Sequence, residues 1–218
     1  NPATNTPYKR GFENRRTKLQ FEGHVVDPSW TYRIKGAFAR ATGLFVLEES
    51  WIAHACGDGW KIKVGQFKAP WMREELVSSS KQLAVERSIV NEYFNQGYSQ
   101  GLEVSWAGDD FKVAAWTGDG LGARGFGPTR FNGQNTAWNE TATSYAFASR
   151  GEWKLAGEWS QFKSFSSRRG SDFGAMVGLA GAVQRGNAQA GTAGDGAVAG
   201  GVTADATLAF NGASRSEE

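Results

Sequence analysis

Residues 64–98, VGQFKAPWMREELVSSSKQLAVERSIVNEYFNQGY, decide how this 218-residue chain reads. The stretch begins as an alternating strand, breaks at Pro70, continues polar and partly helical, and regains alternation at Gly101. It is too long for a hairpin turn. A loop of this length inside a compact β protein is normally functional, so its surroundings decide its role.

Those surroundings have period two. Leu19, Phe21, Gly23 and Val25 share a face opposite Arg16, Lys18, Gln20, Glu22 and His24; Trp30, Tyr32, Ile34, Gly36 and Phe38 repeat the pattern after a turn at Asp27-Pro28-Ser29. A third strand over 45–55 alternates less cleanly, because adjacent Glu48 and Glu49 are expected on opposite faces. Strands follow at 60–65, 102–106, 111–116, 145–153, 155–165, 173–183 and 202–210, which makes ten. From Phe173 onward Gly and Ala dominate and the strand signal weakens. Residues 1–14 show no period and read as a loop or incoming connection; 15–218 read as one domain.

Composition narrows the class. Twenty-nine glycines, nine tryptophans and five prolines suit a β protein with glycine turns and aromatic rims. A net charge of +2 without clustered basic residues argues against a nucleic-acid partner. Mean hydropathy of −0.46 and the lack of a long apolar run exclude a membrane helix. They leave a membrane β-barrel open, since barrel strands are apolar only at alternate positions. Cys56 is the single cysteine, so no disulfide forms within the chain. The start, Asn1 to Thr6, is polar and carries no apolar leader core, as expected of a mature or cut chain.

The connections and faces point to the barrel. Turns after the first, third, fifth and seventh strands are tight, whereas 68–99 and 118–143 are long; short turns on one rim and long loops on the other mark outer-membrane barrels. The short connection 40–44 and the long one 185–196 violate that alternation. Trp30, Tyr32, Trp60, Trp106, Tyr145 and Trp153 fall on the apolar face near strand ends, where membrane interfaces collect amphipathic rings. The polar face carries Arg16, Lys18, Arg33, Lys35, Lys61, Lys63, Lys112 and Arg150 against Glu22, Glu103 and Glu152. Lining a lumen, such rows attract anions; on a soluble β-sandwich they would be a solvated sheet face.

Gly65-Gln66-Phe67-Lys68-x-Pro70, Glu74-Glu75-Leu76-x-Ser78-Ser79 and Glu86-Arg87-Ser88 follow Gly11-Phe12-Glu13-x-Arg15-Arg16-Thr17-Lys18-Leu19-x-Phe21-Glu22-Gly23. In order and spacing this set resembles the phosphate-selective porin O and P family of Gram-negative outer membranes. The resemblance implies a sixteen-stranded, usually trimeric antiparallel transmembrane β-barrel whose long loop, here 68–98, folds inward as a constriction. It implies anion contacts at Ser78, Ser79 and Arg87, an arginine pair Arg15 and Arg16 on the facing wall, and at Glu49 a carboxylate that limits how tightly the anion is held. The family pattern has a lysine three residues before the serine pair, where this chain has Glu75, so phosphate selectivity does not carry over directly. Ten strands and an end without a terminal aromatic strand fit a portion of such a barrel.

The expected function is thus a passive outer-membrane channel for small anions or other small solutes, including phosphate or polyphosphate. It would be a homotrimer in outer-membrane lipid and need no cofactor. A barrel scaffold in an envelope assembly and a soluble sandwich are the rival readings. No serine has a histidine positioned for nucleophilic catalysis, His24 and His54 are too scattered for a metal site, and no enzyme is expected. Gly120-x-Gly122-x-x-Gly125 follows a strand but no helical period follows it, which rules against a dinucleotide site. Ser79-x-x-Gln82 reads as the cap of a short helix reaching Phe94, and Glu74 and Glu75 as solvated loop carboxylates.

Overall fold

The computed structural model describes residues 12, 14, 17–39, 42–121, 143–167, 169–186 and 198–210, and the backbone of 213–217. Ten strands form one antiparallel sheet in sequence order: β1 (Thr17–Val25), β2 (Asp27–Phe38), β3 (Phe45–Gly57), β4 (Trp60–Phe67), β5 (Ser99–Ala107), β6 (Phe111–Gly118), β7 (Thr143–Ala156), β8 (Gly174–Gly186), β9 (Val198–Phe210) and β10 (Ala213–Glu217). Each strand pairs with its sequence neighbours, so every connection spans one hairpin. The sheet is of the up-and-down kind that closes into barrels, although β1 and β10 do not pair here. Among the described residues no helix is long and apolar enough to cross a membrane.

The sheet is inside out by the standards of a soluble protein. Along β7, Tyr145, Phe147, Trp153 and Leu155 are exposed, whereas Thr143, Ala146, Ala148 and Arg150 are buried. The same inversion holds on β4 to β6, where Ile62, Val64, Leu102, Val104, Phe111 and Val113 face outward and Glu103 and Trp116 are covered. A sandwich would bury that apolar face against a second sheet; the described strands form only one sheet. The outward positions of β4 to β7 between the two rims carry no charge, as a lipid-facing wall requires. Trp30, Trp60, Phe111 and Trp153 cluster by the tight turns, the last two stacked at 5.5 Å, while Phe38, Phe45 and Tyr145 mark the other rim.

What covers the inner face is segment 68–98. Phe67, Ala69, Trp71 and Met72 pack on Trp116 of β6, Ala146 and Ala148 of β7, and Ala180 and Ala182 of β8. This explains the Ala- and Gly-rich final third: at inward positions these residues leave room for an inserted loop, and pairing with neighbouring strands outweighs their low strand propensity. Trp116 likewise lies across Gly101 and Gly118, where any Cβ would collide with its indole.

One expected strand fails. The strand expected over 155–165 does not form. β7 continues to Ala156, Gly157 then takes a positive φ of 83°, and the chain folds inward through a 3-10 turn at Gln161–Lys163. The Trp159 indole holds this turn by donating to the Gly108 and Asp109 carbonyls at 3.2 and 2.8 Å. The strand count stays at ten because β10 forms at the other end. The end of β8 and the start of β9 therefore fall on the long-loop rim, which removes one irregularity, while 157–173 becomes a long connection on the turn rim.

Arg150 anchors the wall from inside. Its guanidinium bonds Asp205 of β9 at 2.8 and 2.6 Å, Glu152 of β7 at 2.8 Å and the Trp71 carbonyl of the loop at 3.2 Å. It reaches β9 across Gly178 of β8, where a Cβ would lie on both partners. Arg150 and Asp205 are almost wholly buried, at 2% and 0% side-chain exposure. Asp205→Ala should therefore lower stability, by less than the roughly 3–5 kcal/mol of a fully stranded charge because Glu152 still reaches Arg150, and Arg150→Met in the same chain should recover part of it. Urea unfolding of the refolded protein measures both, and Gly178→Ala should behave like Asp205→Ala.

Candidate functional site

The loop's local structure comes from short polar staples. It contains helix α1 (Arg73–Leu76), a 3-10 turn (Ser79–Lys81) and helix α2 (Ile89–Phe94). Gln96 closes the neck, donating to Ala69 O at 2.9 Å and accepting from Met72 N at 3.2 Å; the Trp71 indole donates to Phe94 O at 2.9 Å. Ser88, not Ser79, caps α2, its hydroxyl accepting from Asn91 N at 3.0 Å. The expected Ser79–Gln82 cap is absent: Ser79 opens the 3-10 turn, and Gln82 donates to the Glu74 and Val77 carbonyls at 2.9 and 3.0 Å.

Glu74 and Glu75 are not solvated carboxylates. Glu74 accepts from the backbone N–H and hydroxyl of Ser88 at 2.8 and 2.5 Å. Glu75 is buried, pairs with Lys68, and accepts from Arg87 at 3.2 Å and from Asn91 at 3.2 Å. Arg87 also donates to the Glu74 and Val77 carbonyls, each at 3.3 Å. Its guanidinium is thus a clamp between the two halves of the loop as well as a charge. The Ser78 and Ser80 hydroxyls lie 3.1 Å apart.

On the facing wall, Glu48 and Glu49 both turn inward. Lys35 pairs with Glu49 but Gly36 with Leu47, so Glu48 is the extra residue of a β-bulge and escapes strict alternation. The bulge is secured by the Gln66 amide, which donates to the Leu47 and Glu48 carbonyls at 3.1 and 3.0 Å. Glu48 takes Lys18 at 2.6 Å and Lys35 at 3.3 Å; Glu49 takes Lys35 at 2.7 Å, Arg33 at 3.2 Å and the Trp51 indole at 3.2 Å. Arg33 also holds Glu22 at 2.7 Å. Tyr98, at the end of the loop, donates to Glu48 at 3.1 Å, its ring flanked by Lys35 and Lys68.

Loop and wall enclose a cavity of about 820 Å³. Lys18, Arg33, Lys35, Glu49, Ser78, Ser79 and Arg87 of the sequence-derived set all line it. Arg15 and Arg16 lie outside the described residues. Lys61, Lys63, Lys112 and Arg150 instead line a second cavity of about 560 Å³ that reaches the turn rim at Gly57 and Gly59. There Lys63 pairs with Glu103 at 2.8 Å, and Arg150 is committed to Asp205 and Glu152. Burial pushes the Lys68 ammonium below the usual lysine range, with Glu75 partly offsetting it; burial and the neighbouring Glu48 and Glu49 push the Tyr98 phenol up, so it stays a neutral donor.

Three contributors, Glu48, Lys68 and Tyr98, escaped sequence reasoning, whereas Glu75 was already read as opposing a tight anion site. Glu48 needed the bulge, which no local signal announces. Lys68 and Glu75 stood within the quoted motifs, but their pairing depends on how the loop folds. Tyr98 ends the segment with no motif around it.

Among the described residues, the large cavity sets six basic side chains against four acidic ones. No curated protein matches the chain. The sequence model of the family described as phosphate-selective porin O and P matches residues 1–147. That is a family of channels rather than enzymes, found in Gram-negative outer membranes, and its β-barrel architecture agrees with the inverted sheet. This chain belongs to the phosphate-selective porin O and P family.

Proposed function

We propose that this chain forms the wall and constriction of an outer-membrane channel that passes small solutes with mild anion preference and holds phosphate loosely. Segment 68–98 is the constriction, with Ser78, Ser79, Arg87 and Glu49 as contact residues. The channel works as a homotrimer in outer-membrane lipid, and passage is passive.

The supporting observation is the neutralisation of the cavity's cations. Lys18, Arg33, Lys35, Lys68 and Arg87 each reach a carboxylate, which leaves Lys81 as the cavity-lining cation without an ion pair to a described residue. A unit-charge pair at about 4 Å contributes roughly 4 kcal/mol at an effective dielectric of about 20. A divalent oxyanion drawn to Lys35 would meet Glu48 and Glu49 at similar range, so attraction and repulsion largely cancel. Weak binding suits conduction, because a permeant must leave as readily as it enters.

Planar-bilayer recording of the full-length protein tests this. Reversal potentials in a KCl gradient should show mild anion preference, and millimolar phosphate should leave chloride current nearly unchanged. An absence of conductance overturns the channel; saturating phosphate block overturns the loose hold. Chemical cross-linking in native membranes should give a trimer, and a monomer would remove that part of the proposal.

Two substitutions should act with opposite sign. Glu75→Gln releases Lys68 and Arg87 from their shared carboxylate, so anion preference should rise and phosphate should block at roughly tenfold lower concentration, the effect of about 1.4 kcal/mol. Arg87→Ala should lower the preference. A pH series adds an independent check. The depressed Lys68 pKa means that its charge is lost as pH rises, before ordinary lysines titrate. Anion preference should therefore start to fall on the neutral side of the lysine range, and Lys68→Met should abolish that early component.

A further inference from the structure

The inward turn 157–173 meets the loop from the opposite rim. Phe165 N donates to Lys81 O at 2.9 Å, the Ser164 hydroxyl donates to the same carbonyl at 3.4 Å, and the Arg73 guanidinium bonds Phe162 O. Between the two lies a pocket of about 310 Å³, separate in character from the large cavity. Its charged lining is Arg73, Lys81, Lys112 and Lys163 against Glu152 alone. Glu152 is already taken by Arg150 at 2.8 Å and by Arg73 at 3.6 Å. Lys81, Lys112 and Lys163 make no ion pair with a described carboxylate. Here, unlike around Glu48 and Glu49, positive charge is in surplus.

The remaining walls are apolar: Leu76, Val77, Trp159 and Phe162. The Lys112 ammonium sits 3.8 Å from the centroid of the Trp159 ring, whose plane is fixed by its bonds to the 108–109 turn and by edge contact with Phe162 at 6.2 Å. A carboxylate drawn to Lys112 is thereby brought beside an aromatic wall. An enclosed cavity of roughly 150 Å³ already accepts a benzene ring, so volume permits a ring with its carboxylate. A small hydrated oxyanion gains charge attraction here but wastes the apolar wall, whereas a ring gains both.

We infer that this pocket binds a monovalent aromatic carboxylate, the acid group among Lys81, Lys112 and Lys163 and the ring against Trp159 and Val77. Lys81 and Ser78 also line the large cavity, and Lys112 and Glu152 line the turn-rim cavity. The site thus adjoins both halves of the proposed passage. It rests on the reading of that inner face as a permeation path, and it makes the channel a selector for organic over inorganic anions.

Calorimetric titration of the full-length protein in detergent with benzoate, acetate and inorganic phosphate tests the site without requiring conductance. Benzoate should bind saturably in the millimolar range, roughly tenfold tighter than acetate, which corresponds to the burial of part of one ring. The surface double variant Lys81→Gln/Lys163→Gln should weaken benzoate about tenfold, and Trp159→Leu should weaken benzoate while leaving acetate unchanged. Acetate or phosphate binding as tightly as benzoate overturns the aromatic site, as does unaltered benzoate affinity in the lysine variant. Benzoate binding by a protein without conductance removes the channel and keeps the site; conductance without benzoate binding does the reverse.

Discussion

Wall, inserted loop and inward turn are tied together through the Arg150 guanidinium. Through Asp205 it fixes β9 to β7 across the gap left by Gly178, and through the Trp71 carbonyl it fixes the inserted loop to both. Glu152 then relays the charge to Arg73 of the loop, whose guanidinium bonds the Phe162 carbonyl of the inward turn. A single contiguous network therefore joins two strands across a third, the loop and the opposite-rim turn. Such a network is stable only when complete, because a buried charge without its partner costs far more than the pair contributes. The outward apolar face supplies no comparable adhesion in lipid, so the inner contacts, this polar network together with the apolar packing of Trp71 and Met72, determine where the loop sits.

The architecture was legible because alternation is a strong code when one face is lipid and the other is charged. Tyr145, Phe147 and Trp153 against Ala146, Ala148 and Arg150 could be read directly and are found so. The alanine-rich final strands were harder, since their residues say little by propensity and make sense only as space for Trp71 and Met72. The region 155–165 misled for a related reason. Leu155, Gly157 and Trp159 keep period two, yet Gly157 leaves the extended region and Trp159 is claimed by a neighbouring turn. Side-chain to backbone bonds between distant segments overrode a local pattern, and such bonds have no signature in one strand's sequence.

The candidate site was legible in its residues more than in its charge state. The basic rows were visible and pointed to a lumen that attracts anions, with Glu75 already arguing against a tight hold. Two features weaken that attraction. The bulge at Glu48 turns a carboxylate expected outside to the inside, where it pairs with Lys18 and meets Lys35; and Glu75, placed by the loop's fold, occupies Lys68 and Arg87 together. One arises from strand register and the other from loop structure, yet both have the same consequence. They convert a row of anion sites into a row of internal ion pairs. In the proposed channel a permeating anion would compete with carboxylates already in position, which would shorten its stay at each step. Attraction uncompensated by acids is concentrated instead beside Trp159, where Lys81, Lys112 and Lys163 surround an apolar wall. On the proposed reading, selectivity would rest less on the charge of the solute than on the shape and polarity of what carries that charge.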